Sequence, residues 1–205
     1  MKKIPTLFVR EYEGRNIVNL LPQVNDNLNS VLTDDSYIPT VKWDGSCCSL
    51  INGKFYKRYD AKRGKTPPPG AIPCSAPDPV TGHWPHWVEV SEDNPSDKWF
   101  IEAFINVFHD TPKKSQYTLA DGTYEAIGPH FQSNPYGLTK DVLIRHGKDV
   151  IHSLDRSFEG IKDYLRHNRV EGIVFWKDGE PVCKIKRSDY GFVWPMQREE
   201  ALNGE

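Results

Sequence analysis

The chain has 205 residues, 38% of them hydrophobic and 26% charged, with a formal net charge of −2. That balance excludes a bulk polycation that coats nucleic acid, though not a local basic groove, and the length allows a sizeable core in one large or two small domains. No apolar run is long enough for a transmembrane helix, and the N-terminus lacks a signal-peptide stretch, so no membrane partner is expected. Cysteine is scarce and matches no paired zinc spacing. Cys47 and Cys48 are adjacent, while Cys74 and Cys183 stand alone. Four reduced thiols, in a cytoplasmic or other reducing compartment, are the expectation.

In chain order, Thr6 to Arg10 is strand-like, with a short element near Val18 to Leu21. A strand ends at Lys42-Trp43-Asp44-Gly45. Ser46 to Ile51 then runs to Asn52-Gly53, the preferred pair for a two-residue hairpin turn. Lys54 to Tyr59 returns with Lys54, Tyr56 and Arg58 on one face. Residues 64–98 are rich in proline, glycine and small polar residues and read as a functional or disordered insertion, with Trp84 and Trp87 suggesting either an ordered lid or clamp or residues that only pack the loop down. Trp99 to Val107 is a strand or short helix containing Glu102. Thr123 to Ile127 is a short strand. Leu138 to Val150 and Leu154 to His167 are expected as helices, the second with Phe158, Ile161 and Leu165 on one face and Asn168 as its stop. The last element is a hairpin from Val170 to Arg187 that turns at Asp178-Gly179. This order predicts an α+β fold with mainly antiparallel sheets flanked by helices.

Three constellations carry chemistry. The first is a lysine at a strand end followed by an acid and a glycine, Lys42 to Gly45. Alone it is weak, since a surface lysine beside a turn is common. The second is the C-terminal hairpin. A two-residue turn at Asp178-Gly179 sets Glu171 opposite Lys186 and Ile173 opposite Lys184. Alternation then gathers Glu171, Lys184 and Lys186 on one face, together with Ile173 and Phe175. A solvated cross-strand charge pair is the ordinary alternative. The third is Glu125 in a short apolar strand, an expensive place for an unpaired charge, unless the strand lies at a sheet edge and the glutamate faces water.

The order and type of these motifs resemble the covalent lysyl nucleotidyltransferases, the superfamily of polynucleotide ligases and mRNA capping enzymes. Lys42 to Gly45 matches the family's Lys-x-Asp-Gly. Arg58 or Arg63 could fill the downstream arginine position, and Glu125 matches the strand glutamate. Glu171 to Val174 matches Glu-Gly-Ile/Val-Val, and Lys184 to Lys186 matches Lys-x-Lys. A narrower likeness is to a small stand-alone family of 5′-phosphate/3′-hydroxyl RNA ligases known from vertebrates. It rests on the doubled cysteine after Lys42-Trp43-Asp44-Gly45-Ser46, on Lys57 to Lys65, and on the following Pro-Cys and Gly-His-Trp-Pro-His-Trp.

The resemblance implies a single adenylyltransferase domain over residues 1–205, of ATP-grasp-like ligase type. Only 19 residues follow Lys186, so no OB-type domain is expected after it. It implies ATP as cofactor, with AMP carried covalently on Lys42. RNA ends bearing 5′-phosphate and 3′-hydroxyl would be the partners of a monomer. Lys42, Glu171, Lys184 and Lys186 are the expected catalytic residues. Asp44, Gly45, Arg58, Arg63 and Glu125 would join them around the nucleotide. Asp44, Glu125 and Glu171 would hold Mg²⁺ or Mn²⁺, which prefer oxygen. Lys184, Lys186 and the metal would ease deprotonation of Lys42.

Lys57, Arg58, Lys62, Arg63 and Lys65 form an RNA-contacting patch or a solvated face. Arg166, His167 and Arg169 read as a helix C-terminal charge pattern. His83, His86 and Cys74 lack the spacing of a zinc site. Trp84 and Trp87 could stack on bases, and the adenine could rest on Phe131, Tyr136 or Trp176. A DNA ligase, a GTP-dependent capping enzyme and an inactive nucleotide-binding descendant remain alternatives.

Overall fold

A computed structural model describes residues 3–14, 16–62, 64–109 and 119–196. Arg63 lies outside the described residues. The chain order is β1 (Phe8–Glu13), β2 (Asn16–Val24), β3 (Ile38–Lys42), β4 (Ser46–Ile51), β5 (Lys54–Ala61), β6 (Ile72–Pro73), β7 (Trp84–Glu89), α1 (Lys98–His109), β8 (Gly122–Ile127), β9 (Val142–Arg145), α2 (Phe158–His167), β10 (Gly172–Lys177) and β11 (Glu180–Lys186). The ladders between these strands are antiparallel, so the fold is α+β with mostly antiparallel sheets. That is compatible with a nucleotidyltransferase-like fold without being specific to it. Among the described residues, no helix is long and apolar enough to cross a membrane.

The chain forms two compact units. One comprises Asp44–His146 with Lys3; the other comprises Ile4–Trp43 with Gly147–Glu205. The first unit holds a six-stranded sheet in the order β6-β7-β5-β4-β8-β9. Asn52 and Gly53 both take positive φ, 51° and 74°, as a two-residue turn that matches strand twist demands. One sheet face presents Cys48, Leu50, Tyr124, Ala126 and Leu143. It packs on Phe100, Ala103 and Phe104 of α1. That face explains why residues 98–109 are helical: their apolar positions recur at helical spacing and have a sheet to cover. Asn94 accepts from the Ser96 amide and starts the short 3-10 turn that leads into α1.

Two expectations change here. Residues 138–150 are not a helix. Val142–Arg145 is β9, paired with β8, because a β-branched apolar run finds an open sheet edge and pairing overrides a weak helical period. Within residues 64–98, β7 is a full strand of the sheet, paired along its length with β5. Trp87 is buried in that sheet, and the Trp84 indole donates to the Ser75 carbonyl. Burial removes Trp87 from the base-stacking candidates.

The second unit holds a three-stranded sheet, β11-β10-β3, and the β1-β2 hairpin. Its core gathers Phe8, Ile161, Leu165, Ile173, Phe175, Cys183 and Ile185, all fully buried. Each large apolar side chain so buried contributes about 1.5–3 kcal/mol. Ser157 caps α2 by accepting from the Gly160 amide, and Arg166 and His167 sit in its last turn, where they complement the helix dipole. Both sheet edges are covered. The Leu7 amide donates to the Lys184 carbonyl and the Lys184 amide to the Pro5 carbonyl, while the Val41 amide donates to the Asp149 carbonyl.

The β10-β11 register departs from the expected one. Asp178 and Gly179 do form the turn, with φ of 52° and 80°, and Lys177 pairs with Glu180. A bulge then shifts the ladder between Phe175 and Trp176, with Val182 as the extra residue. The bulge follows Pro181, which has no amide to give a ladder. Beyond it, Gly172 faces Lys186, Ile173 faces Ile185 and Val174 faces Lys184.

Candidate functional site

Two polar clusters stand out, one in each unit. In the second unit, β3 and β11 flank β10. Gly172 is opposite Lys42 on one side and Lys186 on the other. Alternation therefore puts Lys42, Lys184 and Lys186 on one face with Gly172 and Val174. Ile173 and Phe175 lie on the opposite, core face, not with the lysines as the unbulged hairpin predicts. The single extra residue at the bulge accounts for the difference, since a one-residue slip exchanges faces.

Glu171 precedes β10 and bridges the two lysines across Gly172. Its Oε2 accepts from the Lys42 amine, and its Oε1 pairs with Lys186 Nζ at 2.5 Å. The carboxylate is buried. Burial pushes its pKa up, Lys42 and Lys186 pull it down more, and the net result lies below the ordinary value. Lys184 pairs with no acid among the described residues. Burial first, then the neighbouring Lys42 and Lys186, push its pKa down to about 8. Three amines around one carboxylate leave a surplus of positive charge, which suits a polyphosphate.

The backbone under this cluster is pinned. Asp189 accepts the Lys186 amide at 2.8 Å and the Arg10 guanidinium at 2.7 Å. The Trp43 indole donates to Asp149 at 2.6 Å. Arg10 carries no signal that sequence inspection could find, because its contact is 179 residues away in the chain; Asp189 acts locally as well, capping the turn that Lys186 opens. Trp176 lies two residues beyond Val174 on the lysine face. Its indole N–H is buried with no hydrogen-bond partner among the described residues.

In the first unit, Cys48 pairs with Lys57 and Tyr124 and faces α1, so Cys47, Arg58 and Glu125 face the other way. Glu125 is not on an edge strand, since β8 lies between β4 and β9. Its Oε1 accepts the Gly45 amide at 3.0 Å, and its Oε2 is 2.9 Å from His146 Nε2. Gly45 is required by close approach: a Cβ there would collide with the Ala126 carbonyl. The Tyr136 hydroxyl accepts the Asp44 amide at 2.6 Å, and Gln132 donates to the Gly45 carbonyl at 3.2 Å. Burial, then Glu125, push the Cys47 thiol up to about 12.

Arg58 pairs with Asp60 at 2.9 Å. The Lys57 amine is held by the buried Asp97, so it is withdrawn from the basic patch; Lys62 and Lys65 are exposed, and Arg58 is shared only with the exposed Asp60. Glu102 sits on α1, the helix that covers the opposite sheet face, and is not brought to Glu125. Phe131 is buried against Phe100 and offers no face for adenine.

No family model matches the chain. It is 26% identical to a protein named RNA ligase 1 from Pongo abelii, over 78% of this chain and 69% of that relative. It is 30% identical to a protein of the same name from Danio rerio, over 56% of this chain and 43% of that relative.

Proposed function

We propose that this chain is an ATP-dependent RNA ligase of the lysyl-nucleotidyl type. The observation that carries the proposal is the Lys42–Glu171–Lys186 ion triplet with Lys184 beside it, at the end of the strand bearing Lys-x-Asp-Gly. The likeness to proteins named RNA ligase 1 supports the choice of RNA.

Lys42 passes its proton to solvent, and its lone pair forms a P–N bond at the α-phosphorus of ATP. The P–O bond to pyrophosphate breaks and pyrophosphate leaves. A 5′-phosphate oxygen of RNA then displaces Lys42 and becomes capped by AMP. A 3′-hydroxyl attacks that phosphate, AMP leaves, and a phosphodiester forms. Lys184 and Lys186 supply positive charge where negative charge builds on the phosphates. Glu171 holds Lys42 and Lys186 in place until the nucleotide enters.

For the first unit, the resemblance assigns Glu125, with Glu171, to the ribose hydroxyls and the metal ion, and Arg58 or Arg63 to a phosphate or ribose. The oxygen donors of Asp44 and Glu125 suit Mg²⁺ or Mn²⁺, which would neutralise phosphate charge. Glu171 fits less well as a metal ligand, because two lysine ammonium groups already supply its counter-charge, whereas the Glu125 oxygens meet an amide and an imidazole.

The test is incubation with nucleotides labelled at the α-phosphate, with Mg²⁺ or Mn²⁺. Label from ATP is expected to stay on denatured wild type and to be absent from Lys42→Ala. RNA bearing 5′-phosphate and 3′-hydroxyl should then be sealed in preference to DNA. Label from GTP alone, or sealing of DNA alone, would move the assignment to a capping enzyme or a DNA ligase. No label with any nucleotide would overturn it.

A further inference from the structure

Cys47, Glu125 and His146 form a constellation that the proposed ligase chemistry does not use as a unit. Their ligand atoms all lie within 4.8 Å of one another. They come from β4, from β8 and from the residue after β9, on the sheet face opposite α1. The register builds the set: Cys47 pairs with Glu125 across β4-β8, and the His146 amide donates to the Thr123 carbonyl at 3.1 Å, which continues the β8-β9 ladder by one residue. Thr123 and Glu125 alternate onto the same face.

The geometry points to a site for a borderline-soft divalent cation, Zn²⁺ in class, bound by Cys47 Sγ, one Glu125 oxygen and His146 Nε2. Thiolate, imidazole and carboxylate are zinc donors at about 2.0–2.3 Å, and three protein ligands with one open position are the usual catalytic or exchangeable zinc arrangement. Mg²⁺ and Ca²⁺ take oxygen and would leave the sulfur unused.

Two of the three ligands are already oriented by outer partners, as metal ligands usually are. Glu125 Oε1 is held by the Gly45 amide, so its Oε2 turns toward His146. His146 Nδ1 is 3.0 Å from the Thr123 hydroxyl. That hydroxyl both donates and accepts. It can therefore serve the tautomer that gives Nε2–H to Glu125 and equally the one that frees the Nε2 lone pair for a metal. Tetrahedral ligands lie about 3.5 Å apart, so small side-chain rotations close the set. Binding replaces the His146–Glu125 hydrogen bond with two metal bonds, and the Cys47 thiol proton leaves to solvent. The dication supplies the charge that a half-buried thiolate otherwise lacks.

Because Glu125 is also the residue assigned above to the nucleotide and a hard metal ion, occupancy by Zn²⁺ should block nucleotide transfer. That consequence rests on the proposed function; the site does not.

The experiment is titration of the metal-stripped full chain with Co²⁺, an optical stand-in for Zn²⁺. One equivalent should raise a thiolate-to-cobalt charge-transfer band and strong tetrahedral d–d bands, both removed by added Zn²⁺. Cys47→Ser should lose the charge-transfer band. His146→Ala should weaken binding by about a hundredfold or more. Cys48→Ala and Cys74→Ser should keep both, with circular dichroism confirming that each variant is folded. No charge-transfer band in wild type, or a band that survives Cys47→Ser and disappears with Cys48 or Cys74, overturns the site.

In a second arm, Zn²⁺ added to Mg²⁺-supported self-labelling should inhibit wild type and spare Cys47→Ser. Equal inhibition of both overturns the regulatory consequence. A chain that takes no label yet shows the Cys47-dependent cobalt spectrum keeps the metal site and loses the ligase assignment.

Discussion

At the scale of single residues, Glu171 and Lys184 show how one patch can be both stabilised and strained. Glu171 is a buried carboxylate whose two oxygens are each paired with an amine. Glu171→Gln leaves Lys42 and Lys186 without their counter-charge, and we expect a loss of about 1–3 kcal/mol, measured by urea unfolding at neutral pH. The folded carboxyl titrates below its ordinary value of 4.5. Its contribution is therefore fully present above that value and fades as pH falls through the folded pKa, so wild type and variant should converge in acid. Lys184 behaves oppositely. Its folded pKa is about 8 against an ordinary 10.5, so below pH 8 the folded state carries a charge that its surroundings disfavour. Between those two values the folded lysine is neutral while the unfolded one is charged, and stability rises with pH. Lys184→Met should therefore be more stable than wild type at pH 7, by about 1–2 kcal/mol after allowance for solvent screening. The gap should close as pH approaches 10.5. Unfolding curves across that range check the sign, and a gap that widens with pH refutes it. The same variant should lose the nucleotide transfer proposed for Lys42.

At the scale of elements, the site depends on a hairpin whose two halves follow different registers. The turn at Asp178-Gly179 was legible because that pair is one of few that accept two positive φ angles. The bulge at Val182 was not, since nothing in a local pattern says that one residue will be left out of a ladder. Its effect is large: it moves Ile173 and Phe175 to the core and leaves Gly172 and Val174 beneath the lysines. Gly172 is the tightest point. A Cβ there would collide with the Ile185 carbonyl and sit 3.0 Å from the Lys186 Cα, both backbone and hence unyielding. Gly172→Ala should part β10 from β11, lower stability by about 1–3 kcal/mol by the usual cost of overpacking, and lower the thermal midpoint correspondingly. An unchanged midpoint would mean that the strands are free to separate there without cost.

At the scale of the whole chain, the two units draw on the sequence unequally. The first is nearly continuous, Asp44–His146, and has its own core around Cys48, Leu50, Tyr124, Ala126 and Leu143. The second is assembled from both ends of the chain. Its core needs Phe8 and Leu20 from one end and Ile161, Ile173 and Ile185 from the other. An excised 44–146 segment should therefore melt cooperatively by circular dichroism, whereas a 147–196 segment alone should show no thermal transition, because β1, β2 and β3 are missing from it. The proposed nucleophile sits on the last strand of the N-terminal contribution, so Lys42 meets Glu171 and Lys186 only after a closure spanning 129 residues in sequence.

What the sequence determined by itself was local: the two Asx-Gly turns, the apolar face of α2 with its stop at Asn168, the strand carrying Glu125, and the acids and amines arranged in a family-like order. The first three depend on backbone preference or short-range periodicity, which neighbouring residues express without help; the order of acids and amines carries meaning only through the family resemblance. The start of α2 was not so determined, since Ser157 caps it three residues beyond the expected Leu154. The tertiary structure alone decided which side of β10 faces the lysines, that Val142–Arg145 is a strand, that Trp87 and Phe131 are core, and that Lys57 serves Asp97. It also decided that Cys47 and His146, 99 positions apart, meet at Glu125. Those outcomes turn on register and on pairing between distant segments, where one residue of slip reverses a face and no local preference is strong enough to set it.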